Sequence, residues 1–406
     1  MGRRNPGFAE HLSGLLRRGL LSRGGWPEWL GGILLGLINI LFFAWAQKPF
    51  TIYSGFLNWG QHLYAGLAGL KEFGVPGEGP LANKTSVGDI GLLLGAFLAA
   101  AAAGEFRLRA PARALDYLEG AVGGLLMAMG VVLAVGCNWG GFFSAITALS
   151  LHGYLMFLGL LAGGFLGALY VEWRARREAE ELELELEVVE VRERRSRPGA
   201  LPALAALALP AALLWRLTST GGGYYAVILI MGIAVGVVIQ RSRFCFATAF
   251  RDILRGGGEF RRSVRLQVGI ALGILVGATG TAVLKYMGYV DPAAYVKPAG
   301  WSNVAGGLLF GLGMVLSGGC ASGSLWRAAE GHVKLWVALA AAVLSYAPLR
   351  HLVRAGAPWI YGEKILLVSE LGWAGGLAFI YATLILWIIF LLYLDYRRGM
   401  GRGQAV

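Results

Sequence analysis

The sequence predicts an all-α polytopic membrane protein, an inverted repeat of about five plus five transmembrane helices with short re-entrant half-helices. Three observations predict this fold class. The 406 residues are 56% hydrophobic and only 15% charged, and their mean hydropathy is +0.60. Apolar runs of about 20 residues, enough to cross a bilayer core of roughly 30 Å, recur along the whole chain. A segment that contains glycines and a cysteine also occurs twice.

This composition excludes a soluble globular protein and a nucleic-acid-binding module. A soluble domain of this size would need a far more charged exterior. The formal net charge of +12 comes from short clusters of Arg and Lys between the apolar runs, the distribution that orients membrane proteins. Because no basic face is interleaved with aromatic residues, we expect no nucleic-acid partner.

Ten membrane spans are predicted from length and hydropathy. They are residues 27–46, 87–104, 118–136, 151–172, 200–216, 223–240, 266–286, 303–319, 334–350 and 371–394. The first follows an Arg-rich stretch and resembles a signal sequence, but its apolar core is too long, so we interpret it as an uncleaved helix. Three apolar pieces are too short to cross and are predicted to be half-helices: Phe50–Gly60, Trp139–Leu149 and Phe244–Leu254.

The predicted organisation is two membrane repeats joined by a charged connector. Its parts are a basic cytoplasmic segment (1–26), a first repeat (27–172, with a last span at 199–216), a cytoplasmic connector (173–198), a second, inverted repeat (223–395) and a cytoplasmic tail (396–406). The positive clusters predict an inner-membrane protein with both termini cytoplasmic. The predicted outer loop that holds Arg350, Arg354 and Lys364 is an exception to this charge pattern. The connector is predicted to be a solvated helix, and a docking site for a soluble partner is the alternative.

The internal repeat indicates the inverted architecture. Gly123–Cys137 recurs as Gly306–Cys320, 183 positions later, and a weaker copy pairs Ala46–Asn58 with Gln240–Asp252, 194 positions later. Each copy contains five predicted spans. Because five is odd, the second copy enters the membrane upside down. This architecture is typical of transporters and channels rather than of membrane enzymes.

Two of the three cysteines occupy matched positions in the repeat. Cys137 follows Gly136, and Cys320 follows Gly318 and Gly319. Glycine allows a sharp turn and a close approach of backbone to a ligand. The half-helix that follows each cysteine offers free N–H groups and a positive dipole end, which favour an anion. Inverted symmetry is expected to bring both sites near the midplane of the membrane.

The third cysteine, Cys245, begins the last re-entrant piece. A thiol in apolar surroundings stays protonated and donates a weak hydrogen bond, which suits a soft sulfur or selenium atom. The three cysteines therefore predict a path along which neutral thiols pass a small sulfur- or selenium-containing anion. The alternative for each is a small hydrophobic core residue. No cysteine belongs to a zinc-like spacing, so we expect no metal and no cofactor.

Other polar and aromatic residues carry weaker predictions. Asn138 is expected either to donate to a ligand or to cap the half-helix. Near the span ends, Lys285, Glu119 and Arg216 are expected to extend to the lipid headgroups. Two aromatic residues, Trp139 and Trp326, are interpreted as interfacial anchors. An ion pair is expected between Arg327 and Glu330.

Three stretches resemble the YeeE/YedE family of sulfur-transport membrane proteins, and most closely its YedE branch, which is associated with selenium metabolism. They are GGLLMAMGVVLAVGCNWGGFF…SLH (Gly123–His152), QRSRFCFATAFRD (Gln240–Asp252) and GGLLFGLGMVLSGGCASG…RAAEG (Gly306–Gly331). The resemblance implies an inner-membrane protein with a cysteine-lined path, in which Cys137, Cys245 and Cys320 match the family's motif cysteines. Thiosulfate uptake is the activity known in the family.

The sequence departs from that family at one position. The thiosulfate-importing relatives carry a cysteine in the first re-entrant stretch, whereas the repeat alignment here places Thr51 opposite Cys245. A hydroxyl is a harder hydrogen-bond donor than a thiol. This difference argues against thiosulfate itself as the substrate, although not against transport.

Two alternatives belong to other functional classes. A membrane thiol–disulfide enzyme would need cysteines that pair and a thiol activated by positive charge, for which Cys245 beside Arg243 is the candidate. A membrane anchor would recruit a soluble sulfur- or selenium-transfer protein through residues 173–198. No GxxxxGK[ST] motif is present, so direct use of ATP by this chain is not expected. Transport without an enzymatic reaction is the leading prediction.

Overall fold

The computed structural model describes residues 25–67, 69–73, 77–183, 200–253 and 257–401, and these are largely helical. The helices are α1 (Glu28–Ala46), α2 (Tyr53–Leu67), α3 (Lys84–Ala102), α4 (Ala114–Ala134), α5 (Ser144–Thr147), α6 (His152–Glu183), α7 (Ala200–Ser219), α8 (Gly223–Ser242), α9 (Phe246–Arg251), α10 (Gly257–Tyr286), α11 (Trp301–Ser317), α12 (Ala321–Ala329), α13 (Val333–Gly356) and α14 (Leu367–Gly401). A π-helical turn, Asn138–Phe143, precedes α5. The short strands β1 (Pro298–Ala299) and β2 (Glu363–Lys364) pair antiparallel. The predicted all-α fold class is confirmed.

Within the described residues, nine helical segments are long and apolar enough to span a membrane. They are Glu28–Ala46, Lys84–Ala102, Ala114–Thr147, His152–Glu178, Gly223–Arg251, Gly258–Tyr286, Trp301–Ala329, Val333–Gly356 and Leu367–Arg398. Helix α7 adds a shorter apolar helix, Leu204–Ser219. The protein is therefore a multi-pass membrane protein, as the sequence predicted.

Helices α4 and α11, which carry the repeated segment, cross through reciprocal glycine contacts. A Cβ atom placed on Gly123 would lie 2.6 Å from the carbonyl oxygen of Gly313, and one on Gly130 would lie 2.6 Å from that of Gly306. Gly123 is the repeat equivalent of Gly306, and Gly130 of Gly313. The two helices thus exchange the same contact and run in opposite directions, which is the geometry of an inverted repeat.

Helix α7 supplies the tenth crossing. Helix α6 runs parallel to α11, because Gly159 lies against Val304 and Gly163 lies against Leu308 in the same order. Since α8, α10 and α11 are consecutive crossings, α8 also runs parallel to α11. The chain must therefore return across the bundle between α6 and α8, and α7 is the described helix that does so.

The predicted half-helices are present, with shifted limits. The first is longer than expected and forms α2 (Tyr53–Leu67), the second is the π-helical turn followed by α5, and the third is the short α9. Of the predicted connector, residues 173–183 continue α6, and 184–198 lie outside the described residues, as do 1–24 and 402–406. The predicted domain limits remain a prediction.

Two ionisable residues that were expected at the headgroups are buried instead. Glu119 is 7% exposed and forms a salt bridge with Lys334 at 2.8 Å, and Lys285 is 1% exposed. The prediction failed because tertiary partners replace the headgroups. Glu119 joins α4 to α13, so it belongs to the packing of the bundle rather than to its lipid-facing surface.

Candidate functional site

Cys137 and Cys320 cap the half-helices that follow α4 and α11. Cys137 is the N-cap of the π-helical turn, and the N–H of Gly140 donates to its sulfur at 3.4 Å. Cys320 is the N-cap of α12, and the N–H of Gly323 donates to its sulfur at 3.2 Å. Both thiols are buried. Because sulfur is a weaker acceptor than the oxygen that usually caps a helix, an anion that displaced it would gain strong N–H donors.

Glycines shape the turn that leads into each cap. Gly318 has a φ of 83°, in the left-handed region, and its repeat equivalent Val135 adopts the same conformation with a φ of 58°. A Cβ atom on Gly136 would lie 2.6 Å from the backbone of Gly141, and one on Gly319 would meet the equivalent turn at 3.1 Å. Gly318 is thus needed for its conformation, whereas Gly136 and Gly319 are needed for the close approach of backbone.

Thr51 and Cys245 occupy equivalent positions beside the two caps. A Cβ atom on Gly140 would lie 3.3 Å from the methyl group of Thr51, and one on Gly323 would lie 3.0 Å from the sulfur of Cys245. Cys245 begins α9, and its thiol is close enough to the Cys320 thiol to interact with it directly. The first half of the repeat therefore presents a hydroxyl and a thiol, and the second half presents two thiols.

A cavity of about 180 Å³, here called the first vestibule, opens onto Cys137. Thr51, Gly136 and Gly140 line it beside the thiol. Three cationic side chains line its other walls: Lys297, Arg350 and Arg354. None of the residues that line this cavity is acidic. The vestibule is thus a positively charged funnel that ends at a thiol and at the amino end of a half-helix.

The positive charges in the first vestibule repel one another. Burial lowers the pKa of Lys297, and the neighbouring cations Lys364, Arg354 and Arg350 lower it further. A bound anion would relieve this repulsion. Burial also raises the pKa of Tyr295, in the same wall, well above its ordinary value, so its hydroxyl stays a neutral donor. The arrangement is complementary to a small anion rather than to a cation.

A larger cavity of about 750 Å³, here called the second vestibule, lies at the other end of α13. It includes His332, at the start of α13, whereas the first vestibule includes Arg354, near the end of that helix. A helix of 24 residues is roughly 36 Å long. The two vestibules therefore open at opposite faces of the bundle. The charged residues of the second are Glu28, Arg243, Arg262, Arg265, Arg327 and Glu330.

Packed side chains separate the vestibules. Tyr53 lines the first vestibule and packs edge-on against Phe310, with ring centroids 6.0 Å apart. Cys245 and Cys320 have no exposed surface and line neither vestibule. On the other side, Trp326 is 1% exposed and forms part of the second vestibule. The conformation described here is closed, and an anion would need these groups to move.

An ion-pair network that includes Arg243 and Glu330 lies beside the second vestibule. Arg243 donates to Glu330 at 2.7 Å and to Glu105 at 2.8 Å, and Gln240 also donates to both carboxylates. The guanidinium lies 5.4 Å from the ring centroid of Trp326. These contacts tie the end of α8 to the loops that follow α3 and α12. The network holds a cation two residues before Cys245.

The expected pair of Arg327 and Glu330 is wrong. Glu330 binds Arg243 instead, and Arg327 donates to the carbonyl oxygen of Gly318 at 2.8 Å. The expectation assumed neighbours in sequence, whereas α8 brings a cation from the start of the second repeat. Arg327 thus supports the turn into the Cys320 half-helix.

Asn138 is fully buried and lines neither vestibule. Neither the nitrogen nor the oxygen of its amide has a hydrogen-bond partner among the described residues. Cys137 caps the half-helix, so the interpretation of Asn138 as the cap is wrong. Its contact with a ligand stays a prediction.

Some residues of this region were not identified from the sequence. Lys297 and Tyr53 gave no signal, whereas Arg350 and Arg354 were visible as exceptions to the charge pattern of the loops. The interpretation of the two tryptophans as interfacial anchors is wrong, since each is 1% exposed. Across the described chain, no cluster of three or more His, Cys, Asp or Glu residues is arranged to hold a metal ion.

The chain is similar over most of its length to a protein described as a probable transporter, and over 27% of its length to two thiosulfate transporters. It is 27% identical to the probable transporter YedE of Escherichia coli over 388 residues, which are 92% of this chain and 93% of that protein. It is 38% identical over 112 residues to the thiosulfate transporter TsuA of E. coli, 27% of this chain and 30% of that protein. It is 43% identical over 113 residues to TsuA of Spirochaeta thermophila, 27% of this chain and 32% of that protein.

The sulphur transport family model matches residues 6–166 and 241–402. The two matched regions fall on the two halves of the repeat and include the caps at Cys137 and Cys320, together with Cys245. Since they cover well over half of the chain, the protein belongs to the sulphur transport family.

Proposed function

We propose that this protein carries a small, thiosulfate-like anion with a terminal sulfur or selenium atom across the inner membrane, from the first vestibule to the second. The observation that carries the proposal is the first vestibule, where Lys297, Arg350 and Arg354 surround a cavity without acidic residues that ends at Cys137. The similarity to proteins named thiosulfate transporters supports a sulfur anion. The protein is a transporter in this proposal and not an enzyme.

Each part of such an anion has a matching partner. Its oxygen atoms meet the cations and the N–H groups that lie behind Cys137. Its soft terminal atom meets the thiol, which is a weak donor. Weak donors suit a path, because an anion that is held too tightly would not leave. The hydroxyl of Thr51, beside Cys137, gives the first half of the path a harder donor than the second half.

From Cys137 the anion passes the barrier of Tyr53 and reaches Cys245 and Cys320. Passage requires the half-helices to move apart, because both of these thiols are fully buried. Gly136, Gly318 and Gly319 support this role by holding the caps in place. Asn138 would contact the anion only in an open conformation, where its unpaired amide could turn toward the path.

Release occurs through the second vestibule. An anion that leaves Cys245 meets Arg243, which is held by Glu330 and Glu105 when no substrate is present. The anion replaces these carboxylates as the partner of Arg243 and then enters the wider cavity, where Arg262 and other arginines offset its charge. Positive residues are concentrated at this face, so we place it, with both termini, on the cytoplasmic side.

A second candidate function is favoured by one observation. Cys245 and Cys320 are close enough to interact, as a thiol–disulfide enzyme would require. Against turnover, neither thiol lines a vestibule, so a protein substrate has no access to them. A soluble sulfur- or selenium-transfer protein that docks on the continuation of α6 at residues 173–183 stays a proposed partner.

Uptake into proteoliposomes tests the function. We expect radiolabelled thiosulfate or selenosulfate to enter at least about tenfold faster than sulfate, which lacks a soft terminal atom. Cys137→Ala and Cys320→Ala should each abolish uptake while the protein still inserts, as size-exclusion chromatography in detergent would show. Leu386→Ala, on the exposed surface of α14, is the control. Undiminished uptake in both cysteine variants would falsify the thiol path.

A further inference from the structure

The half of the path on the side of the second vestibule, here called the inner half, brings the thiols of Cys245 and Cys320 close together. A Cβ atom placed on Gly323 would lie 3.0 Å from the sulfur of Cys245 and 3.1 Å from that of Cys320. Because glycine stands at this position, no side chain of residue 323 lies against the two sulfurs. The thiols belong to different half-helices, α9 and α12, which enter the site from separate parts of the second repeat.

The other half of the path, on the side of the first vestibule and here called the outer half, lacks this pair. Gly140 is the repeat equivalent of Gly323, and a Cβ atom placed there would meet the hydroxyl of Tyr295 at 2.7 Å and the methyl group of Thr51 at 3.3 Å, while the N–H of Gly140 donates to the sulfur of Cys137. The chain has three cysteines, so Cys137 has no cysteine partner in its own half. Tyr53 stands between Cys137 and the other two. The two halves of the inverted repeat therefore have the same backbone arrangement, but only the inner half carries a pair of thiols that can form a disulfide.

We propose that Cys245 and Cys320 are a redox-sensitive site, at which a sulfur anion with an internal S–S bond, a polythionate, oxidises both thiols to a disulfide that closes the path. The proposal rests on the proposed function, since it assumes that sulfur anions reach these thiols. It assigns to the pair a modification that Cys137 cannot undergo within this chain.

The chemistry balances with tetrathionate as the oxidant. One cysteine loses its proton, and its sulfur attacks a central sulfur of tetrathionate. The central S–S bond breaks, one thiosulfate leaves, and a cysteine–thiosulfate mixed disulfide remains. The second cysteine loses its proton and attacks the cysteine sulfur of this adduct, which releases a second thiosulfate. Two thiols give one disulfide, two protons are released, and two electrons reduce tetrathionate to two thiosulfate ions.

The disulfide would close the path for two reasons. It removes both S–H donors from the inner half, so that a soft anion loses its partners there. It also joins α9 to α12 covalently, and these half-helices must separate if an anion is to pass between their buried caps. A disulfide constrains such motion strongly, and reduction restores it.

Disulfide mapping on the purified full-length protein tests the site directly. After treatment with tetrathionate, we expect mass spectrometry to find the Cys245 peptide joined to the Cys320 peptide, and Cys137 to be either a free thiol or a thiosulfate adduct without a cysteine partner. Dithiothreitol should restore all three. Persistence of both thiols in their reduced form would overturn the proposal, as would a disulfide that includes Cys137.

Two variants sharpen the test. Thr51→Cys copies the inner arrangement into the outer half, so tetrathionate should then consume every thiol and form a second disulfide. Thr51→Ser, which introduces no thiol, is its matched control, and tetrathionate should form in it only the disulfide between Cys245 and Cys320, as in the wild type. If Cys137 forms no disulfide in Thr51→Cys although Cys245 and Cys320 pair, the symmetry argument for the outer half fails. If no disulfide forms in any variant, the whole inference fails.

Uptake measurements separate this inference from the proposed function. In proteoliposomes, oxidation should lower thiosulfate uptake about tenfold or more, and dithiothreitol should restore it. A disulfide that forms without any loss of uptake would overturn the closing of the path. If the reduced protein takes up no sulfur anion at all, the proposed function fails, whereas the disulfide map still decides whether the thiols pair.

Discussion

Arg243 donates to the carboxylate of Glu330 at 2.7 Å and thereby joins the end of α8 to the loop between α12 and α13. Glu330 is 2% exposed, and burial raises the pKa of its carboxyl group, although Arg243 and Gln240 act in the opposite direction. A buried carboxylate that binds a cation of the path resembles the anion that the path would carry. Competition between the two for Arg243 gives the pair a role in release.

The first prediction is a pH dependence that Glu330 controls. Because its pKa is raised above the ordinary value of 4.5, Glu330 takes up a proton at a higher pH than an exposed carboxyl group would. Protonation removes its charge and weakens its hold on Arg243, which Glu105 still binds. We therefore expect thiosulfate uptake to rise as the pH falls from about 8 to about 5, and Glu330→Gln to be fast and independent of pH. Proteoliposomes buffered equally on both sides provide the measurement.

The neighbours of Glu330 provide the control for this prediction. Its charged and titratable neighbours are Glu105, Arg109, Arg243 and His332. Burial, followed by the nearby arginines, lowers the pKa of His332 to about 4, so this histidine is neutral throughout the range tested. His332→Gln should therefore keep the pH dependence of the wild type. A flat profile in this variant, or a persistent slope in Glu330→Gln, would contradict the assignment.

The second prediction concerns capture in the first vestibule. Arg350→Gln and Arg354→Gln should each raise the KM for uptake by about three- to tenfold with little change in kcat, because these cations attract the anion before it reaches Cys137. High salt should diminish the difference from the wild type. Arg216→Gln removes an exposed cation that lines neither vestibule, and it should have a small effect. Equal effects in all three variants would indicate general surface charge instead.

The sequence predicted the half-helices and the glycines of the turns before them more completely than the caps, which are Cys137 and Cys320, or the charges around them. The repeat aligned Thr51 with Cys245, and the structure places both against equivalent glycines. Such matching is possible because a repeated fold repeats its local turns. Lys297 and Arg350, in contrast, line one cavity only because a loop packs against the end of α13. No local sequence pattern indicates that these two residues are close in space.

The burial of the tryptophans escaped prediction for a related reason. Trp139 packs edge-on against Phe50, with centroids 5.3 Å apart, in a cluster formed by separate half-helices. An aromatic residue next to a glycine turn is common at a membrane interface. The same local sequence can also lie at the centre of the bundle, so the sequence alone does not distinguish the two locations. The depth of a half-helix in the membrane is set by its long neighbours.

The third prediction separates two uses of glycine. Gly318→Ala should destabilise the protein by about 1 kcal/mol, because its left-handed φ opposes a side chain although space is available. Gly136→Ala should cost more, about 2–4 kcal/mol, because the new Cβ atom would overlap the backbone of Gly141. Thermal unfolding in detergent measures both. Gly318→Asn, which tolerates this conformation better than Ala, is the control, and a larger loss for Gly318→Ala than for Gly136→Ala would refute this distinction.

The fourth prediction concerns Lys285, which was expected to reach the headgroups and is buried instead. Its ammonium group donates to the carbonyl oxygens of Ala148, Pro292 and Ala294 at 2.8 to 2.9 Å. The carbonyl of Ala148 lies at the end of the second half-helix, directly after α5. The side chain thus fastens the piece of chain that begins at Cys137 to the loop that follows α10.

Lys285→Met keeps most of the length of this side chain and removes its three donors. We expect a loss of about 2–4 kcal/mol in unfolding free energy, because buried carbonyl groups are left without a partner. Lys285→Arg should retain part of the stability, since its guanidinium can still donate to these oxygens. Lys364→Met, at an exposed position, is the matched control. If the melting temperature of Lys285→Met equals that of the control, the fastening role of Lys285 is refuted. That result would mean that Lys285 contacts only the lipid headgroups, where its loss costs little stability.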